Sequence, residues 1–259
     1  MGLRFVKYQA NGNDFILVDQ RRRDWFPTRA EIARLCHRRT GIGADGLILL
    51  TSAPGFDFGM TNYNSDGGEC TMCGNGGRAL LRFAKDLGLE RETYHFLAID
   101  GEHLGRIDSD EVSIRMSRVE GIRETPVGKT LDTGSPHLVR PVSDLLSFDV
   151  VQEGRKLRNT PLFLPNGINV NFYEEQQGMI FVRTYERGVE DETLSCGTGA
   201  IATAIVVAQK MGLPAADSQT IPIHCTGGTL TISFIRLPDG SVDQIWLSGN
   251  VKRVFEGAL

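Results

Sequence analysis

Short apolar runs bounded by Gly, Pro and polar clusters dominate the chain. LRFVKYQ (3–9), DFILVD (14–19), LILLT (47–51), TYHFLAI (93–99) and EVSIRM (111–116) read as strands in the first half. INVNFY (168–173), MIFVRTYE (179–186), TLTISFI (229–235) and DQIWLS (243–248) read the same way in the second. Runs of about 4–8 residues rich in β-branched and aromatic side chains fit a pleated surface and are short for helices. Helical patterning predicts three helices. One follows Thr28, which with Glu31 makes a T-x-x-E capping box, and carries Ile32, Leu35 and Cys36 on one face. The other two begin just after Cys73 and Cys196. The long apolar run AIATAIVVA (200–208), broken only by Thr203, falls far short of the ~20 residues of a membrane span. Many strands with one long helix per half predict an α+β fold of two domains, each a curved, mostly antiparallel sheet around a central helix.

The pattern also repeats. MCGNGGRALLRFAKDLGL (72–89) and SCGTGAIATAIVVAQKMGL (195–213) both run Cys-Gly-x-Gly, then a helical apolar segment, then Gly-Leu. Their cysteines, Cys73 and Cys196, stand 123 positions apart. TNYN (61–64) precedes the first cysteine and RTYE (183–186) the second, while ANGNDFILV (10–18) loosely matches DTGSPHLVR (132–140). One repeat of this length is not a solenoid, which needs three or more short units. It predicts two related, pseudo-symmetric domains, 1–120 and 121–259, with the boundary in VEGIRETPVG (119–128) and the last strand free to return to the first domain.

Composition narrows the setting. The chain has 259 residues, enough for one large or two modest domains at ~150 residues each. With 41% hydrophobic and 23% charged residues it matches an ordinary globular protein. A formal net charge of −4 offers no large positive footprint for nucleic acid. The first residues, MGLRFVKYQANGNDF, lack the apolar stretch of a secretory signal, and five cysteines are an odd number for a disulfide framework. The expected setting is the cytoplasm, with no membrane or nucleic-acid partner.

The cysteine loops carry the chemistry. At each, a loop turns into a helix at Cys-Gly-x-Gly, where glycines let backbone N–H groups approach a ligand. A helix start offers unsatisfied donors and a positive dipole end, which bind a carboxylate and favour a thiolate. Two such units facing one small anion would set sulfurs on opposite sides of it. One could remove a proton beside a carboxylate and the other return one to the opposite face, inverting the centre. Backbone donors would stabilise the developing charge. Cys36 and Cys225 read instead as buried small hydrophobes. Cys70 and Cys73 form C-x-x-C, so a redox or metal-binding module is the non-enzymatic alternative. Against it, the second half has Glu192–Ser195 before its cysteine with no counterpart to Cys70, and neither a second C-x-x-C nor H-x-x-x-H supplies zinc ligands.

Eight motifs together resemble the diaminopimelate epimerases, a pyridoxal-independent two-cysteine family. They are GNDF (12–15), GIGADGL (41–47), YNSDG (63–67), MCGNGGR (72–78), GSPH (134–137), GINVNF (167–172), YERG (185–188) and SCGTGA (195–200). The resemblance implies an active site in an interdomain cleft and conversion of LL-2,6-diaminopimelate to the meso form on the way to lysine, with no cofactor and no metal. It implies Cys73 and Cys196 as the acid–base pair, assisted by His137 and Glu186. The backbone of Gly74, Asn75, Gly197 and Thr198 would hold the reacting carboxylate; Asn13, Asn64, Asn169, Glu186 and Arg187 would hold the rest of the substrate. A homodimer is a further expectation. Ser135 stands where the family often has Asn, Gly46 where some members have Gln, and Thr198 where Ser is also found. The nearest rival is a proline racemase-type epimerase. Glu186 and Arg187 count against it, because a cyclic imino acid has no second charged end to grip.

Overall fold

The computed structural model describes residues 3–22 and 25–258. Contacts divide the chain into two compact units, Met1–Ile114 with Gly249–Leu259, and Arg115–Ser248. Both are α+β.

In the first unit the strands are β1 (Arg4–Ala10), β2 (Asn13–Asp19), β3 (Gly46–Thr51), β4 (Phe58–Asn64), the short β5 (Glu69–Cys70), β6 (Tyr94–Ala98), β7 (Gly101–Asp108) and β8 (Glu111–Arg115). Helix α1 (Arg29–Cys36) joins β2 to β3, and α2 (Gly74–Asp86) follows β5. β2 and β3 run parallel, and their uninterrupted apolar stretches are buried along most of their length, as a strand covered on both faces requires. α1 starts at the anticipated capping box: Thr28 Oγ1 accepts from Glu31 N–H at 3.3 Å, and the Glu31 carboxylate accepts from Thr28 N–H at 2.7 Å. Ile32, Leu35 and Cys36 then pack on Ile16, Val18, Leu47 and Leu49. α2 buries Leu80, Leu81, Phe83 and Ala84 and packs on β1, β2, β3 and β7.

The second unit holds β9 (Arg123–Thr125), β10 (Gly128–Asp132), β11 (Pro136–Pro141), α3 (Val150–Arg158), β12 (Asn169–Gln176), β13 (Met179–Glu186), β14 (Asp191–Thr193), α4 (Gly197–Lys210), β15 (Ser218–Cys225) and β16 (Gly228–Arg236). Strand β17 (Val242–Ala258) belongs to the second unit up to Ser248 and to the first beyond it, where it pairs antiparallel with β1. The order of pairing repeats. β2–β3 is parallel, β3–β4 and β4–β5 antiparallel, and β4–β6 parallel. β11–β12 is likewise parallel, β12–β13 and β13–β14 antiparallel, and β13–β15 parallel. α3 therefore corresponds to α1 and α4 to α2. Every residue of α4 from Gly199 to Ala208 is buried, so AIATAIVVA forms a core helix. Among the described residues no helix is long and apolar enough to cross a membrane.

Sequence patterning does not reveal α3. It buries only Val150, Gly154 and Leu157 and carries a glycine at mid-helix. The glycine is required by packing, since a β-carbon at Gly154 would stand 2.3 Å from that of Tyr185.

Candidate active site

In the first unit the chain leaves β5 and enters α2 with Cys73 as N-cap. Its Sγ accepts from the Gly76 N–H at 3.2 Å, and the residue is exposed. This places an accessible sulfur at the positive end of a buried helix, with a backbone donor that favours negative charge on it. Cys70 is oriented differently. Its Sγ–H donates to the Asn62 carbonyl at 3.6 Å, and burial, then the neighbouring Cys73, pushes its pKa up to about 11. All five cysteines are free, and among the described residues no cluster of three His, Cys, Asp or Glu could hold a metal.

Asn75 and Asn13 meet behind this helix start. Asn75 Nδ2 donates to Asn13 Oδ1 at 3.4 Å, and Asn13 Nδ2 donates to Asp45 at 2.6 Å. Asn75 Oδ1 in turn accepts from Arg78 at 2.6 Å. The fully buried Arg78 also donates to Asn11 Oδ1 at 3.0 Å and to the Gly74 carbonyl at 3.2 Å. The aspartates of GNDF and GIGADGL hold the scaffold. Asp14 pairs with Lys7 at 2.8 Å and with Arg38 at 2.8 Å, and Lys7 also donates to the Gly43 carbonyl. Burial opposes ionisation of Asp14, yet the hydrogen bonds from Arg38 and Lys7 hold its pKa well below the usual carboxylate range. Asn64 stands exposed at the end of β4, apart from this network. Gly46 is a packing position: a β-carbon there would lie 2.5 Å from the Tyr63 carbonyl oxygen.

In the second unit Cys196 is the N-cap of α4, but buried. Its Sγ lies 3.5 Å from Thr198 Oγ1. Burial, then the Glu186 carboxylate beside it, raises its pKa above the ordinary thiol range, so the group is a thiol at neutral pH. The Glu186 carboxyl is also raised by burial, while the Cys196 thiol eases its ionisation. The two equivalent sulfurs thus sit in unlike environments.

Asn169 and Arg187 come together through Ser135. Asn169 Nδ2 donates to Ser135 Oγ at 2.8 Å, Arg187 donates to the same oxygen at 3.4 Å, and the Arg187 N–H donates to Asn169 Oδ1 at 2.8 Å. Ser135 therefore joins this cluster. His137 is fully buried, and burial draws its pKa down to about 3; the Asn171 contact acts to raise it, and the nearby Arg187 charge lowers it further. Its Nδ1 lies 3.0 Å from Asn171 Nδ2. Thr133 Oγ1 donates to the Thr198 carbonyl at 3.0 Å and fixes the loop after Cys196. Sequence reading passed over Asn11, Arg78, Thr133, Asn171 and Thr184. Arg78 and Asn171 lie inside the MCGNGGR and GINVNF motifs, and an Arg in the first turns of the helix, beside the apolar Ala79, Leu80 and Leu81, was the available signal.

The diaminopimelate epimerase family profile matches residues 5–119 and 129–242. The diaminopimelate epimerase of Flavobacterium psychrophilum is 46% identical over 261 residues, covering 99% of this chain and 100% of that protein. The chain belongs to the diaminopimelate epimerase family. The Chlorobaculum tepidum member is 37% identical over 96% of this chain and 98% of its own. Among solved structures, a PhzF-family phenazine biosynthesis protein of Bacillus anthracis matches with a TM-score of 0.80 at 13% identity, over 100% of this chain and 99% of that one. A hydroxyproline epimerase of Agrobacterium vitis matches at 0.67 and 13%, over 98% and 91%. At such identities these two establish a shared fold, and the epimerase family assignment rests on the sequence relatives.

Proposed function

We propose that the chain interconverts LL- and meso-2,6-diaminopimelate by proton transfer between Cys73, Cys196 and the substrate α-carbon, without a cofactor. The observation that supports this most is the repeated placement of a cysteine at the N-cap of each unit's central helix, in a chain aligned end to end with named diaminopimelate epimerases. In the reaction, a thiolate takes the α-proton and becomes a thiol. The electron pair left on carbon spreads into the α-carboxylate, held by the amides of Gly74, Asn75, Gly197 and Thr198. The opposing thiol gives its proton to the other face and becomes the thiolate. Cys73 is the resting thiolate and Cys196 the resting thiol, in keeping with their exposure and partners. Glu186 takes the Cys196 proton when the direction reverses, and His137 assists the sulfur chemistry. Asn13, Asn64, Asn169, Glu186 and Arg187 hold the substrate, most of them at its distal end, where Arg187 pairs with a carboxylate.

The test is epimerisation in D₂O with no added cofactor. Deuterium is expected at the inverted α-carbon of diaminopimelate, with no turnover of L-proline. Turnover without solvent exchange would refute the proton-transfer mechanism. The proposal includes a homodimer in the cytoplasm, which light scattering and cell fractionation check.

A further inference from the structure

A buried polar chain in the second unit lies outside the residues assigned above. Asn171 of β12 and Thr184 of β13 sit opposite one another in the antiparallel ladder, both buried. Thr184 Oγ1 donates to Asn171 Oδ1 at 2.9 Å. Asn171 Nδ2 donates to the Leu138 carbonyl at 3.0 Å and lies 3.0 Å from His137 Nδ1. A carbonyl only accepts, so the side of the amide facing Leu138 is nitrogen. Its oxygen is then turned to Thr184, whose hydroxyl supplies the matching proton. α4 closes the remaining side: a β-carbon at Gly199 would stand 2.2 Å from Asn171 Oδ1.

The consequence falls on His137. An N–H pointing at Nδ1 makes that nitrogen the acceptor, and in a neutral ring the proton then sits on Nε2. Nε2 is buried and has no hydrogen-bond partner among the described residues. We infer that Asn171 and Thr184 are positioning residues that hold His137 as the Nε2–H tautomer, making it a hydrogen-bond donor to an anionic acceptor in the reaction complex rather than a base. A protonated Nε2 has no lone pair to receive a proton, so His137 assists by stabilising negative charge on a sulfur or carboxylate. Burial keeps the ring neutral at working pH. This inference rests on the proton-transfer reading and refines the part His137 plays in it.

Long-range ¹H–¹⁵N spectra of the whole chain labelled with ¹⁵N-histidine report the tautomer directly, with His137→Gln assigning the signal. The wild-type protein without substrate is expected to show a bare Nδ1 and a protonated Nε2. Asn171→Asp sets a carboxylate against Nδ1 and is expected to draw the proton there. kcat should then fall roughly 10- to 100-fold with KM changed less than about twofold. Thr184→Val should give mixed tautomers, and Thr184→Ser should restore the wild-type spectrum and rate. A wild-type proton on Nδ1, or a charged ring, would overturn the inference. So would an Asn171→Asp protein with unchanged spectrum and unchanged kcat. If Asn171→Asp does not fold, the wild-type spectrum and the Thr184 pair decide. The spectrum is read without substrate, so it stands or falls apart from the deuterium assay.

Discussion

Two cysteines with the same local motif have acquired different surroundings. Cys73 is exposed with a backbone donor on its sulfur, whereas Cys196 is buried beside a carboxylate. Because the thiolate is the nucleophile, limiting iodoacetamide should label Cys73 before Cys196, and before Cys70, whose pKa is about 11. Peptide mass spectrometry reads the order; Cys196 reacting first would remove the proposed resting state. His137 yields a second prediction at this scale. Its folded pKa, about 3, lies below the ordinary value near 6.5, so the unfolded chain binds the extra proton first. Stability from this residue is therefore complete above about pH 6.5 and lost as pH falls toward 3, at about 1.4 kcal/mol per pH unit. Between pH 7.5 and 5, wild type should lose about 2 kcal/mol more than His137→Gln in urea unfolding.

At the scale of elements, the cysteine-led helices and most interior strands were readable because burial leaves a periodic apolar record. α1 was readable from its capping box. α3 was not, because three buried positions leave too little pattern and its mid-helix glycine argues against a helix. In isolation Gly154→Ala would favour the helix by up to about 1 kcal/mol. Within this fold the new methyl meets Tyr185, and the expected outcome is a net loss of about 1–3 kcal/mol in denaturant unfolding. The site shows the same division. Cys73 and Cys196 were legible from a motif repeated twice. Thr184 and Thr133 were not, since their meaning lies in partners reached across strands.

At the scale of the molecule, the repeated order of parallel and antiparallel pairing gives the internal sequence correspondence its physical form. β17 breaks the simple succession of halves, because its last residues pair with β1 from Arg4↔Ala258 to Ala10↔Val251. Phe5 meets Phe255 edge-on there, with ring centroids 5.9 Å apart. Truncation after Ser248 should leave the amides of β1 exchanging far faster with solvent, while those of α4 keep their protection. Hydrogen exchange read by mass spectrometry checks this, and unchanged protection in β1 would show that the returning strand is dispensable.

The amino-acid sequence by itself determined the α+β class, the repeated cysteine-to-helix turn and the family, because these depend on local periodicity and on motifs contiguous in the chain. Only the tertiary structure decided that Cys70 points at a carbonyl, that Ser135 joins Asn169 to Arg187, and that Asn171 faces a histidine nitrogen with its N–H. These are relations between residues far apart in the chain. Their protonation and orientation follow from burial and from the donors and acceptors brought beside them, which no linear pattern records.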